Sequence, residues 1–216
     1  MAGYQRSITF SLPAAVTNGI CLSQTRASAG ALTLNGSLVS GGVASLVTSQ
    51  RVGIAGTSNN SAVNFTIVGT GTNGLSQTEV LAGPNNNTVN TTHDFLTVTS
   101  ITSSAAITGN ITVGTVAIGS SNPFSVDPYV NPTSLGVDTT VSGTVNYTIE
   151  FTTADLSPLW DLNSNTPTWF GMFGFIGATA GAYGKLDQPC TLARITINSG
   201  TGTVVARFRQ SLIGKS

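Results

Sequence analysis

Along most of this chain apolar and polar residues alternate one for one. Ile8, Phe10 and Leu12 take every second position of "SITFSL", as do Val63, Phe65 and Ile67 in "AVNFTIV" and Val145, Tyr147 and Ile149 in "TVNYTIEF". The same rhythm recurs in "ALTLNG", "DFLTVTSI", "NITVGTVAI", "ARITIN" and "TVVARFRQ". Successive side chains of a strand point to opposite faces, whereas an amphipathic helix repeats its apolar residues three or four apart, so this spacing predicts half-buried strands. The runs are short and end at Gly, Asn or Ser, with turn residues returning about every ten positions, as in all-β sandwiches and barrels. "NSGTGT" at 198–203, between "ARITI" and "VVARFR", predicts a hairpin whose glycines supply positive φ. The fold class expected is all-β: an antiparallel β-sandwich, jelly-roll-like, or a barrel.

Two stretches depart from the rhythm. Within "GSSNPFSVDPYVNPTSLGVD" (119–138), Pro123, Pro128 and Pro132 fall close together, and proline cannot donate into a central ladder. They predict an N-terminal β domain at 1–122, a Pro-rich connection at 123–135 and a C-terminal β domain at 136–216. The other is "TTADLSPLWDLNSNTPTWFGMFGFIGATAGAYGKLDQPC" (152–190), which holds both tryptophans, Trp160 and Trp169, with Phe170, Phe173 and Phe175 close behind. It reads as a long loop in the second domain with one helical turn at 153–160. Long ordered loops in compact domains usually carry function. Its aromatic content fits a cap over the core and equally an interface, where Trp, Phe and Met are enriched. No repeat of fixed period marks a solenoid.

Composition changes the picture in one respect. Ser, Thr and Asn make up 74 of the 216 residues, and charged residues only 7%, against roughly 25% in an ordinary globular protein. The abundance of Val, Ile and Thr separates the chain from disordered polar sequences. Net charge is zero and no basic run occurs, the nearest being Arg207 and Arg209, which argues against nucleic acid as a partner. So neutral a surface resists self-association weakly and suits life inside an assembly. The N-terminus lacks the pattern of a signal peptide, and "WFGMFGFIGATAGAYG" is too short and Gly-rich for a membrane span, so a chain kept soluble in a cytosol is expected. Cys21 and Cys190 have no metal-ligand spacing; two buried free thiols are expected rather than a disulfide.

The candidate chemistry is thin. His93 is the only histidine and precedes Asp94 amid threonines, the parts of a nucleophilic hydrolase. Neighbours on a strand point to opposite faces, so Asp94 is badly placed to orient His93, and no G-x-S-x-G elbow presents a serine. "GTGTNG" at 69–74 matches a dinucleotide fingerprint, but no amphipathic helix follows to hold a pyrophosphate, and a turn joining two strands explains it better. "DLNSN" at 161–165 opens like a calcium loop, yet Thr166 and Met172 replace its glycine and its glutamate. Asp155 and Asp161 flank Trp160 as a sugar platform would, or as a solvated loop around a core tryptophan. No catalytic residue, cofactor or metal is expected.

Two strings resemble something known. "LAGPNNNTVNTTHDFLTVTSITSSAAITGNITVGT" is similar to a segment of small β-rich virion proteins of tailed bacteriophages. "SGTVNYTIEFT", "PTWF", "ATAGAYG" and "PCTLARITINSGTGTVVARF" resemble their C-terminal part. The resemblance covers roughly residues 30–120 and 140–210. It implies a non-enzymatic structural component of the virion, assembled in the host bacterial cytoplasm, and brings no catalytic residue. The leading expectation is a capsid decoration or cement protein, homo-oligomeric, binding the major capsid protein with Trp160, Trp169, Phe170, Phe173 and Phe175 as interface or core cap. The alternative is a tail, collar or head–tail appendage, with a glycan stacked on Trp160 or Trp169.

Overall fold

The computed structural model describes residues 4–126, 134–154 and 167–210. Among them there is no helix. The strands are β1 (Tyr4–Ser11), β2 (Cys21–Gln24), β3 (Gly30–Ala31), β4 (Val39–Ser40), β5 (Val43–Gln50), β6 (Val52–Gly56) and β7 (Asn64–Gly71). There follow β8 (Ser76–Ala82), β9 (Thr88–Asn90), β10 (Phe95–Ser103), β11 (Ile111–Thr115), β12 (Gly119–Ser120) and β13 (Phe124–Ser125). The last are β14 (Leu135–Ser142), β15 (Val145–Thr152), β16 (Phe170–Gly171), β17 (Tyr183–Leu186), β18 (Leu192–Gly200) and β19 (Thr203–Gln210). The chain is all-β and its sheets are antiparallel. Among the described residues no sheet closes on itself, and the arrangement is that of a sandwich rather than a barrel.

The chain forms two compact units, and their boundaries differ from those expected. An inserted unit holds residues 13–119; a split unit combines 1–12 with 120–216. The first strand therefore belongs with the C-terminal part. β1 pairs with β19 without a break, from Tyr4 against Gln210 to Ser11 against Thr203, and Phe10 and Leu12 join that unit's core. Alternation identified β1 as a strand but carried no information on a partner almost two hundred residues away. The expected connection at 123–135 is also partly structure. Phe124 and Ser125 pair with β18, and Phe124 and Val126 are buried in the core; residues 127–133 lie outside the described residues.

The split unit has one sheet in the order β1-β19-β14-β17 and another in the order β12-β18-β15-β16, with β13 also on β18. Its core draws Val137, Val204, Ala206 and Phe208 from the first and Tyr147, Ile149, Ile195 and Ile197 from the second. The inserted unit repeats the plan, with β4-β5-β10-β7-β8 (β3 also on β10) and β2-β11-β6-β9. Phe65, Ile67, Phe95 and Ile101 there share a core with Ile54, Ile111 and Val113.

Two local expectations need correction. β18 and β19 are not a hairpin: they lie in different sheets, as do the consecutive β14 and β15. Both connections turn the corner between sheets and lie against each other, Gly202 N–H donating to Thr144 O at 2.8 Å. A Cβ at Gly200 would fall 2.4 Å from Thr144 O, and φ there is +90°, so only glycine fits. "ALTLNG" contributes only Ala31 to a strand. Beyond it, Gln24 replaces a ladder neighbour, its side chain accepting from Thr33 N–H and donating to Thr33 O, both at 2.9 Å. "GTGTNG" holds the expected turn between two strands, though its first three residues still belong to β7; the turn is closed by Gly74 N–H to Gly71 O with φ of +76° at Gly74.

Candidate functional site

Two places in the molecule gather the residues singled out from sequence. The first surrounds His93. Residues 91–94 carry the chain from β9 to β10, that is, from one sheet of the inserted unit to the other. Arg51 stands at the β5–β6 crossover between the same two sheets. The crossings are stitched together. Thr91 N–H donates to Val52 O, and Val52 N–H donates to Thr91 Oγ1, both at 2.9 Å. Arg51 Nε lies 3.7 Å from Asp94 Oδ1.

Asp94 thus faces Arg51, and the carboxylate that holds His93 is Glu79, from β8. Glu79 Oε2 lies 3.0 Å from His93 Nδ1 and also accepts His93 N–H, while Oε1 accepts Thr92 N–H at 2.7 Å and Thr92 Oγ1 at 2.9 Å. Both carboxylate oxygens are therefore engaged by the connector, which satisfies a nearly buried charge as such groups require. The imidazole is oriented as in a catalytic dyad, but the neighbouring threonines are otherwise engaged. Thr91 Oγ1 donates to His93 O at 2.8 Å, and Thr92 Oγ1 donates to Glu79 while lying 3.5 Å from Nδ1, the ring nitrogen that already faces Glu79. No group of three or more His, Cys, Asp or Glu able to hold a metal ion occurs among the described residues. Glu79 escaped the sequence reading. Its signal is faint: Gln77 and Glu79 occupy the inward phase of β8, while Val80 points out, the reverse of what hydrophobicity suggests.

The second place is the aromatic stretch of the split unit. Trp160, Asp155, Asp161, the "DLNSN" segment and most of the expected helical turn lie outside the described residues. From Trp169 onward the chain forms a strap between the two sheets. β16 adds to the edge of β15, Phe170 opposite Phe151, and the strap bridges again at Ala178 against Tyr147. It then joins the other sheet as β17, antiparallel to β14. One segment thus closes the side of the sandwich where β15 and β14 would otherwise end their sheets.

Side chains from the sandwich fix the strap. Tyr147, fully buried, donates from its hydroxyl to Ala180 O at 2.9 Å and bonds Thr139 Oγ1 at 2.6 Å. Burial raises the phenol above its ordinary value, keeping the donor protonated. Thr139 Oγ1 also accepts Ala182 N–H at 2.9 Å, and Asn146 Nδ2 donates to Gly177 O at 3.0 Å. Inward, Met172 and Phe175 fill the core, and Gly184 leaves room for Phe175, whose ring a Cβ would meet at 2.7 Å. Trp169 is half-buried beneath the Arg194 guanidinium, 4.1 Å from the ring centroid. Arg194 Nε donates to Glu150 Oε2 at 2.7 Å, so the stack is anchored in the β15–β18 pair.

Outward, the strap presents Phe173 at 95% exposure, Tyr183 at 80%, Ile176 at 66% and Phe170 at 48%. The other large exposed apolar side chains among the described residues, Leu22, Val47, Leu75 and Val80, are scattered over the inserted unit. Residues 169–184 carry no charge at all. The two readings of the aromatic stretch therefore divide by residue: Phe175 caps the core, while Phe170 and Phe173 face solvent.

No family model matches the chain, and no curated protein matches it.

Proposed function

We propose that this chain is a non-enzymatic structural protein of a phage virion, a capsid decoration or cement protein that binds the major capsid protein shell through the 169–183 strap. The observation that carries the reading is the strap itself: four large apolar side chains held outward on an uncharged segment whose backbone is pinned to both sheets. A fixed apolar surface loses little conformational entropy on docking, and aromatic anchors of this kind dominate interface energies. The resemblance of residues 30–120 and 140–210 to virion proteins supplies the setting. The engagement of Glu79 and His93 with the corner of the inserted unit supports a structural rather than catalytic use of the chain's one imidazole. The appendage reading lacks comparable support, since Arg194 already occupies a face of the Trp169 ring where a sugar would stack.

The test is binding of the purified chain to isolated capsid shells. Phe173→Ser touches a fully solvated side chain, so the fold should survive while particle binding falls at least about tenfold, as truncating a hot-spot aromatic does. Undiminished binding would remove the strap as the contact. Copy number per virion then separates the positions, many copies meaning decoration and few meaning tail or collar.

A further inference from the structure

We infer that β1 is an intermolecular sheet edge, pairing antiparallel with β1 of a second copy about a two-fold axis. The inference does not rest on the proposed function and concerns a different surface.

Exposed strand edges invite pairing, and proteins guard them with short strands, prolines, bulges or charges. Most edges here are guarded. β4, β12, β13 and β16 have two residues each, β9 three, and β17 four with Lys185 among them. β8 is seven residues long but carries the charge of Glu79 on its inner face, gripped by the 92–93 connector. β1 has only one of these devices, the charge of Arg6. Its eight residues pair with β19 in unbroken register, with no proline and no bulge. Among the described residues no strand pairs with its other side. Gln5, Arg6, Ser7 and Thr9 are exposed. Its single charge, Arg6, is drawn over the Phe124 ring, 5.3 Å from the centroid.

The strand also fits itself. A two-fold axis perpendicular to the sheet makes two copies antiparallel and keeps core-facing positions on one face, so residues pair only within the same alternation class. Centred on Ile8, the pairing sets Ser7 against Thr9, Gln5 against Ser11 and Arg6 against Phe10 of the second copy. Centred on Ser7, it sets Gln5 against Thr9 and Arg6 against Ile8. In neither register does Arg6 meet Arg6, and the outward face matches hydroxyl with hydroxyl or amide. Two four-stranded sheets would become one continuous sheet of eight. A chain with zero net charge offers no long-range repulsion to the approach.

The experiment is sedimentation equilibrium of the purified full chain from low to high micromolar concentration, with circular dichroism as the check on folding. A concentration-dependent dimer is expected. The double variant Ser7→Lys/Thr9→Lys should weaken association at least about tenfold, because like charges then face each other across the new ladder. Ser7→Cys and Ile8→Cys read the register: under mild oxidation one of them should give a disulfide-linked dimer, the buried Cys21 and Cys190 staying silent. A monomer at every concentration overturns the inference. So does a dimer that the folded double-lysine variant leaves intact, or failure of both cysteines to cross-link. Should the lysine variant not fold, the two cysteines decide alone. Loss of capsid binding in Phe173→Ser with dimerisation intact would leave this inference standing, and the reverse outcome would leave the strap standing.

Discussion

The two units carry the chain between their sheets with opposite chemistry. In the split unit the β14–β15 and β18–β19 corners approach so closely that side chains are excluded, with Gly143, Gly200 and Gly202 packed backbone to backbone. In the inserted unit one backbone hydrogen bond, Thr91 N–H to Val52 O, joins the crossings at Arg51 and at residues 91–94. Side chains supply the other links: Thr91 Oγ1 and the Arg51–Asp94 pair between the crossings, and Glu79 between β8 and the connector. The first corner is specified by what cannot fit, the second by what must be satisfied. An intruding atom should damage the one, and removal of a carboxylate the other.

Substitutions ranked by expected effect probe that contrast. Gly200→Ala places a Cβ 2.4 Å from the Thr144 carbonyl at a φ of +90°, and we expect a loss of about 3–4 kcal/mol from strain and backbone displacement. Glu79→Ala removes a buried acceptor, leaving the N–H groups of exposed Thr92 and half-buried His93 without it; hydrogen bonds to charged groups put the cost at about 1.5–2 kcal/mol where water can take the acceptor's place. Gly143→Ala sharpens the first result, since a Cβ there meets only Gly202 Cα at 3.3 Å and φ is +78°. The left-handed backbone alone should cost about 1 kcal/mol. Urea unfolding of the three variants checks the order. Gly143→Ala as damaging as Gly200→Ala would mean that conformation, not contact, makes the glycine corner.

The same contrast explains what could be read from sequence. Strands such as "TVNYTIEF" and "DFLTVTSI" were legible because burial on one face imprints a period of two. Which strand pairs with which left no such mark. "NSGTGT" has the residues of a hairpin, yet tertiary packing uses its glycines for a corner between sheets. β1 crosses to β19 because Phe10 and Leu12 complete a core assembled from the other end of the chain. At the candidate sites, the doubt cast on Asp94 as partner of His93 rested on strand geometry, whereas both residues lie in the 91–94 connector, where Asp94 faces Arg51 and Glu79 holds the imidazole. Glu79 was not legible, because a charged residue in the inward phase of β8 makes sense only once the 91–94 connector lies over it. The division of the aromatic stretch into inward Phe175 and outward Phe173 likewise depends on the Tyr147 and Thr139 anchors, which the stretch itself does not contain.

The burial of one free cysteine in each unit gives the molecule a pair of internal clocks. Cys21 lies in the inserted unit with its thiol pushed up to about 12 by burial, and Cys190 in the split unit with its thiol pushed up to about 11. The thiolate is the reactive form, so at neutral pH a thiol reagent should reach either position only when the surrounding core opens. Labelling rates resolved by peptide mass then time the two sandwiches separately in a single sample. Glu79→Ala should hasten the mark at Cys21 and Gly200→Ala the mark at Cys190; equal acceleration of both would mean the two cores open as one.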